Sequence, residues 1–153
     1  MKARRGARRV ALDVLYEAEI RDLLPTEAWK LREDEGWAMS SGDDEAAVDT
    51  PEPGPEVLEY ARAVVEGVQA RVADIDVLIS RYADRWAIDR MPVIDRTIVR
   101  MALYELLWRD DIPVAVGINE AVELAKSFST DDSGRFVNGL LGRIVEDERA
   151  PEA

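Results

Sequence analysis

The sequence has no cysteine and no histidine. Those absences exclude disulfides, thiol nucleophiles, imidazole bases and every zinc site built from such ligands. Nor does any apolar run reach the roughly 18 residues that a membrane-spanning helix needs. The basic start has the charge of a secretory leader, but the stretch VALDVLYE behind it is broken by Asp13 and Glu17. We therefore expect a soluble cytoplasmic protein with no membrane partner. Alternation at period two, the mark of half-buried strands, is scarce as well.

What recurs is a period of 3.6, and it predicts an all-α fold. In 153 residues there is room for one ordinary domain with a core along most of its length. Ala11, Val14, Leu15 and Ala18 mark a first helix over 8–21. A short helix is expected over 26–33, with Thr26 as its N-cap. Val57, Tyr60, Ala61, Val64, Val65, Val68 and Val72 form one stripe, and Ile75, Leu78, Ile79 and Tyr82 a shorter one opened by Asp74. Pro92 suits the first turn of a helix whose apolar residues, from 94 to 108, surround most of its circumference, so it should be central. Val114, Ile118, Ala121, Val122, Ala125 and Phe128 line the next. The last, opening near Asp131 or Asp132, presents Phe136, Val137, Leu140, Leu141 and Ile144. The count is about seven helices, without internal repeat.

Charge is distributed unevenly. Lys2, Arg4, Arg5, Arg8 and Arg9 place five cations and no anion in the first nine residues of a chain with 20 basic and 32 acidic side chains. The remainder carries 15 minus 32, or −17. Much of that excess falls at 33–56, an acidic, Ser-, Gly- and Pro-rich stretch expected to be a flexible loop; from 33 to 59 there are ten acids and no base. It serves either as a solvated linker or as an acidic flap competing with nucleic acid for the basic arm. The domain organisation expected is thus a basic arm at 1–9 and a single helical domain at 10–148 that carries the loop.

Catalytic motifs are weak. The pairs Asp110 with Asp111 and Asp131 with Asp132 fall at helix ends, where carboxylates cap and form turns. STDDSG at 129–134 has no lysine and no preceding strand, so it is not a phosphate-binding P-loop. GLLG at 139–142 is read as a close approach of two helices. We expect no enzyme and no cofactor. The arm is the chemical feature that stands out, because guanidinium groups bind phosphate oxygens bidentately and here lead directly into an amphipathic helix.

Four blocks in the last third, RMALYEL at 100–106, DIP at 111–113, INEAVELAKSF at 118–128 and FVNGLL at 136–141, resemble the NusB family of bacterial transcription antitermination factors. ARRVALDVLYE at 7–17 is similar to the family's first helix. The resemblance spans about residues 3–24 and 57–146, and the 33–56 loop is longer and more acidic than the family pattern. It implies two perpendicular three-helix bundles and no catalysis. It also implies pairing with NusE, a small-subunit ribosomal protein, to bind boxA RNA and help RNA polymerase in an antitermination complex read through terminators of ribosomal RNA operons.

Carried over by position, the resemblance places RNA contacts at Arg4, Arg5 and Arg8 with Lys2 close by, the family's arginine run being interrupted by Gly6. Arg135 and Phe136 match a segment near the RNA, where Phe136 either stacks on an unpaired base or packs in the core beside Leu140. Asp132 matches an acidic position whose change is linked in the family to altered antitermination, and is otherwise a helix cap. Tyr16, Asp89 and Asp95 match positions facing NusE, the two acids read as exposed partners for a basic protein. Asn119, Glu120 and Asn138 are read as holding helix ends and inter-helix contacts.

Other readings are a homodimer that stores the protein with its RNA face covered, and a relative of the NusB-like domain that precedes ribosomal RNA cytosine methyltransferases. The chain has neither a dinucleotide-type Gly-rich turn nor a catalytic cysteine, so methyl transfer has no chemical support. A helix-turn-helix DNA reader would need a basic recognition helix, whereas the helices here carry mixed charge pairs.

Overall fold

The computed structural model describes residues 2–37, 52–83 and 86–149. Every regular element among them is helical: α1 (Lys2–Arg21), α2 (Pro25–Glu35), α3 (Pro55–Tyr82), α4 (Val93–Trp108), α5 (Val114–Phe128) and α6 (Asp131–Glu148), with a 3-10 turn at Ile88–Arg90. The all-α expectation holds, with six α-helices for about seven. The difference lies at Asp74, which opens no new helix. Residues 69–82 contain neither Gly nor Pro, and Val68, Ile75 and Ile79 continue one buried stripe while Asp74 faces solvent in the helix interior. Of the expected acidic loop, 38–51 lie outside the described residues; α2 continues through Glu35 and α3 begins at Pro55.

The chain divides into two compact units, residues 1–69 and 70–153. In the first, the buried stripe of α1 (Ala7, Val10, Ala11, Val14, Leu15, Ala18) forms a core with Ala28 and Trp29 of α2 and with Ala61, Val64, Val65 and Val68 of α3. α1 ends in a Schellman turn: Leu23 N–H donates to the Ala18 carbonyl at 2.8 Å, with Asp22 in the left-handed region at φ 56°. Pro25 occupies the first turn of α2, and the Glu27 carboxylate accepts from Leu24 N–H at 3.0 Å. Thr26 is therefore not the cap expected of it; its N–H donates to Gln69 Oε1 at 2.9 Å. Arg32 clamps α2 to α1, reaching Asp13 at 2.8 Å and Glu17 at 2.6 Å. Burial alone would raise the Glu17 carboxyl, but hydrogen bonds and charge from Arg32, then Arg21, hold it below its usual range. Trp29 packs on Trp37 with ring centroids 4.6 Å apart.

In the second unit α4 is central as its all-round apolar pattern requires, packing on both α5 and α6. Ile98, Met101, Leu103 and Leu106 are fully buried with Leu140, Leu141 and Ile144 of α6. Each such side chain contributes roughly 1.5–3 kcal/mol through removal from water. Pro92 is the N-cap of α4, and Arg100 grips Asp76 of α3 bidentately, both bonds at 2.8 Å. The close approach of helices falls at Gly117, where an added Cβ would stand 2.6 Å from Leu106 Cδ2. At Gly139 and Gly142 a Cβ would meet nothing within 4 Å, so GLLG is not the contact anticipated. Of the acidic pairs, Asp111 is held by Arg109 at 3.1 Å, while Asp131 and Asp132 lie in the first turn of α6 behind the N-cap Thr130.

Candidate nucleic-acid interface

The basic arm is helical. α1 begins at Lys2, since Lys, Arg and Ala are strong helix formers and a single Gly6 is tolerated. Its first turn has no acid, so its cations sit at the positive end of the helix dipole and add to the field there. Helical geometry divides the arginines into two groups. Arg5 and Arg9, four residues apart, are both exposed. Arg4 and Arg8 turn toward Tyr60 of α3, with guanidinium carbons 4.8 and 6.0 Å from its ring centroid. Arg4 is half-buried and Arg8 only 5 % exposed.

This corrects the expectation for Arg8. Together with Ala11, Leu15 and Ala18 it lies on the stripe that enters the core, where its guanidinium faces Tyr60 and little of it is exposed. Arg9, one of the arm's five cations but not among the contacts that the resemblance places, takes the exposed place beside Arg5. For Lys2 only the helical backbone is described.

In the second unit, the start of α6 carries a second set of groups. Thr130 Oγ1 accepts from Ser133 N–H at 3.0 Å, fixing the first turn. Asp132 and Arg135 are 89 % and 80 % exposed and form a loose i, i+3 ion pair at 3.5 Å. Asp132 is therefore a first-turn acid and not the cap. Phe136 is half-buried and meets Trp86 edge to face, with centroids 5.0 Å apart and ring planes at 86°. The ring thus lies outside the buried core beside Leu140 that was one of its two expected places. Trp86, 37 % exposed, was not anticipated at all, because it stands alone between helices and its partner is 50 residues away in sequence.

Of the residues expected to face a protein partner, Tyr16 is exposed on α1 and Asp89 is exposed in the 3-10 turn. Asp95 is not. It is 0 % exposed in the first turn of α4, and its Oδ2 accepts from Ser133 Oγ of α6 at 2.7 Å. Ser133 in turn accepts from Thr130 Oγ1 at 3.0 Å. A carboxylate so enclosed ties α4 to the start of α6 and cannot form an exposed ion pair with another protein. The pattern held the signal: Asp95 precedes Ile98, Val99 and Ala102 at i+3, i+4 and i+7, on the buried side.

Among the described residues no group of acids is placed to hold a metal ion, and no helix is long and apolar enough to cross a membrane. The NusB family model matches residues 5–146. The transcription antitermination protein NusB of Salinispora tropica is 51% identical over 146 residues, which is 95% of this chain and 97% of that one. The solved structure of T. maritima NusB superposes with a TM-score of 0.77 at 36% identity, over 97% of this chain and 93% of that one. A crystal structure of the antitermination factors NusB and NusE in complex with dsRNA is similar at a TM-score of 0.73 and 26% identity, covering 95% and 98%.

Proposed function

We propose that this chain, which belongs to the NusB family, is a non-catalytic transcription antitermination factor that binds boxA-type RNA together with NusE in the cytoplasm and promotes read-through of ribosomal RNA operons. The observation that carries this reading is the exposed cationic face of α1, Arg5 and Arg9, in a chain of net charge −12. Phosphate contacts supply most of the affinity for a nucleotide backbone, and an otherwise anionic surface repels it, so one helix face sets where RNA can lie. The aromatic pair on the second unit supplies what phosphate contacts cannot, a surface on which unpaired bases stack. Support for the partner comes from the NusB–NusE–RNA structure that this fold resembles, and from exposed Tyr16 and Asp89, which suit a basic ribosomal protein.

The test is equilibrium binding of a boxA transcript by the purified chain alone and with NusE. Tighter binding by the pair than by either protein, lost when the boxA bases are scrambled, is the expected result. A pair that ignores boxA at low ionic strength would remove the proposal.

A further inference from the structure

Along α1 runs a row of charged side chains at strict four-residue spacing, Arg5, Arg9, Asp13, Glu17 and Arg21. In a helix that spacing makes each the neighbour of the next, so the row reads positive, positive, negative, negative, positive. Asp13 stands about 6 Å along the axis from Arg9 and Glu17 about 12 Å, distances comparable with the Debye length of about 10 Å at 0.1 M salt. The two acids are 23 % and 22 % exposed, so their field reaches the solvent through which RNA would approach. Uncompensated, they would draw Arg9 toward their own helix and repel phosphate beside it.

Compensation comes from another helix. Arg32, in the last turn of α2, places Nη1 2.8 Å from Asp13 Oδ2 and Nε 2.6 Å from Glu17 Oε2, so one guanidinium meets both acids. Glu17 is met a second time, by Arg21 at 3.2 Å. With two cations set against two acids, the charge left over along the row is that of Arg5 and Arg9. The clamp is not needed to hold α2 on α1, because Ala28 and Trp29 are already buried in the core the helices share, and part-exposed ion pairs add little stability. We infer that Arg32, which lies outside the basic arm, is a positioning residue for RNA binding: it neutralises Asp13 and Glu17 and so keeps the positive potential of Arg5 and Arg9 from being cancelled along their own helix. The inference rests on the RNA-binding reading above and adds to it a residue that acts through two acids and not through contact with RNA.

The test uses the full chain with NusE and a boxA-type single-stranded RNA, in three variants: Arg32→Ala, the double change Asp13→Asn with Glu17→Gln, and the triple that combines them. Arg32→Ala leaves both acids uncompensated and should weaken RNA binding about two- to tenfold at low salt. The double variant keeps the cation and loses the acids, and should tighten binding about two- to fivefold. The triple has no clamp at all, yet should return to within about threefold of wild type. Each shift should fade near 1 M salt, where the Debye length is about 3 Å. A clamp that only held α2 in place would be broken in all three variants, and all three would bind RNA more weakly, with a loss that salt does not remove. Melting curves record stability, and NusE affinity is measured separately without RNA. If Arg32→Ala fails to fold, the sign of the change in the double variant decides the matter.

Unchanged or weaker RNA binding in the double variant, or a triple as weak as Arg32→Ala, overturns the inference while leaving the RNA-binding reading intact. RNA affinity that falls only in step with NusE affinity assigns the acids to the protein partner and also overturns it. A wild-type pair that binds no RNA overturns both.

Discussion

Replacing Arg5 and Arg9 together by Ala should weaken RNA binding without harming the fold, and replacing Arg8 by Ala should do the reverse. Each phosphate contact on a single strand contributes about −0.7 to the slope of log affinity against log salt. Two exposed arginines then account for about −1.4, equivalent to roughly 15-fold in affinity at physiological salt relative to 1 M. Ala is at least as good a helix former as Arg, and the change relieves like-signed charge at the positive end of α1, so thermal stability should hold or rise slightly. Arg8 is buried against Tyr60, and truncating it removes a packed stem and a cation–π contact at a cost of roughly 1–2 kcal/mol. In a chain of this length that lowers Tm by about 2–8 °C while leaving the slope alone. The assay is fluorescence anisotropy of labelled boxA RNA with NusE across a salt series, paired with circular-dichroism melts. An Arg8→Ala protein that melts like wild type yet flattens the slope as much as the double variant would refute the division of the arginines into exposed and bracing groups.

Gly117→Ala should destabilise by roughly 1–3 kcal/mol because its Cβ would overlap Leu106 and crowd Ile112 at 3.2 Å. Gly139→Ala, with open space around the new atom, should stabilise by up to about 1 kcal/mol; opposite shifts in the denaturant midpoint check the pair. Glu17 has a folded-state pKa below its unfolded value near 4.5, so its contribution is complete above about pH 4.5 and lost as pH falls through the lower folded value. Glu17→Gln should be less stable at pH 7 but show a shallower loss between about pH 5 and 3 in denaturant titrations. Asp132→Asn should raise RNA affinity about two- to fivefold at low salt, since a carboxylate 3.5 Å from Arg135 both repels phosphate and occupies the guanidinium. The gain should vanish near 1 M salt.

Most helix positions are readable because apolar residues at i, i+3 and i+4 recur along the chain, and the central place of α4 follows from its lack of a polar side. The division at Asp74 failed because an Asp before an apolar run resembles a cap, although the stripe through Val68, Ile75 and Ile79 keeps its phase across that point. Arg8 and Asp95 were misplaced for the opposite reason. Charged residue types point outward, but both lie on buried stripes whose spacing is visible in the sequence. The Trp86–Phe136 edge-to-face contact has no local signal, since neither ring belongs to a pattern with the other until the fold brings them together. The hydroxyl chain from Thr130 through Ser133 to Asp95 was hidden likewise, since Asp95 and Ser133 lie 38 residues apart in sequence.

The exposed face of α1 changes character along its length. Arg5 and Arg9 are followed on the same side by Tyr16 and Ile20, at spacings of four, seven and four residues, and both of these are exposed. From Arg9 to Tyr16 is about 10 Å along the axis. A helix that offers cations at one end and apolar side chains at the other cannot bury both against the same kind of surface: guanidinium groups need phosphate or water, while Tyr16 and Ile20 gain from being covered. In the function proposed, RNA and a basic protein would therefore adjoin on one rigid rod, and the protein's own charge would extend the cationic track past the point where α1 turns apolar. That geometry predicts coupling without any change of conformation, because each ligand lowers the electrostatic cost of the other, and thermodynamic linkage then requires that RNA tighten NusE by the same factor that NusE tightens RNA.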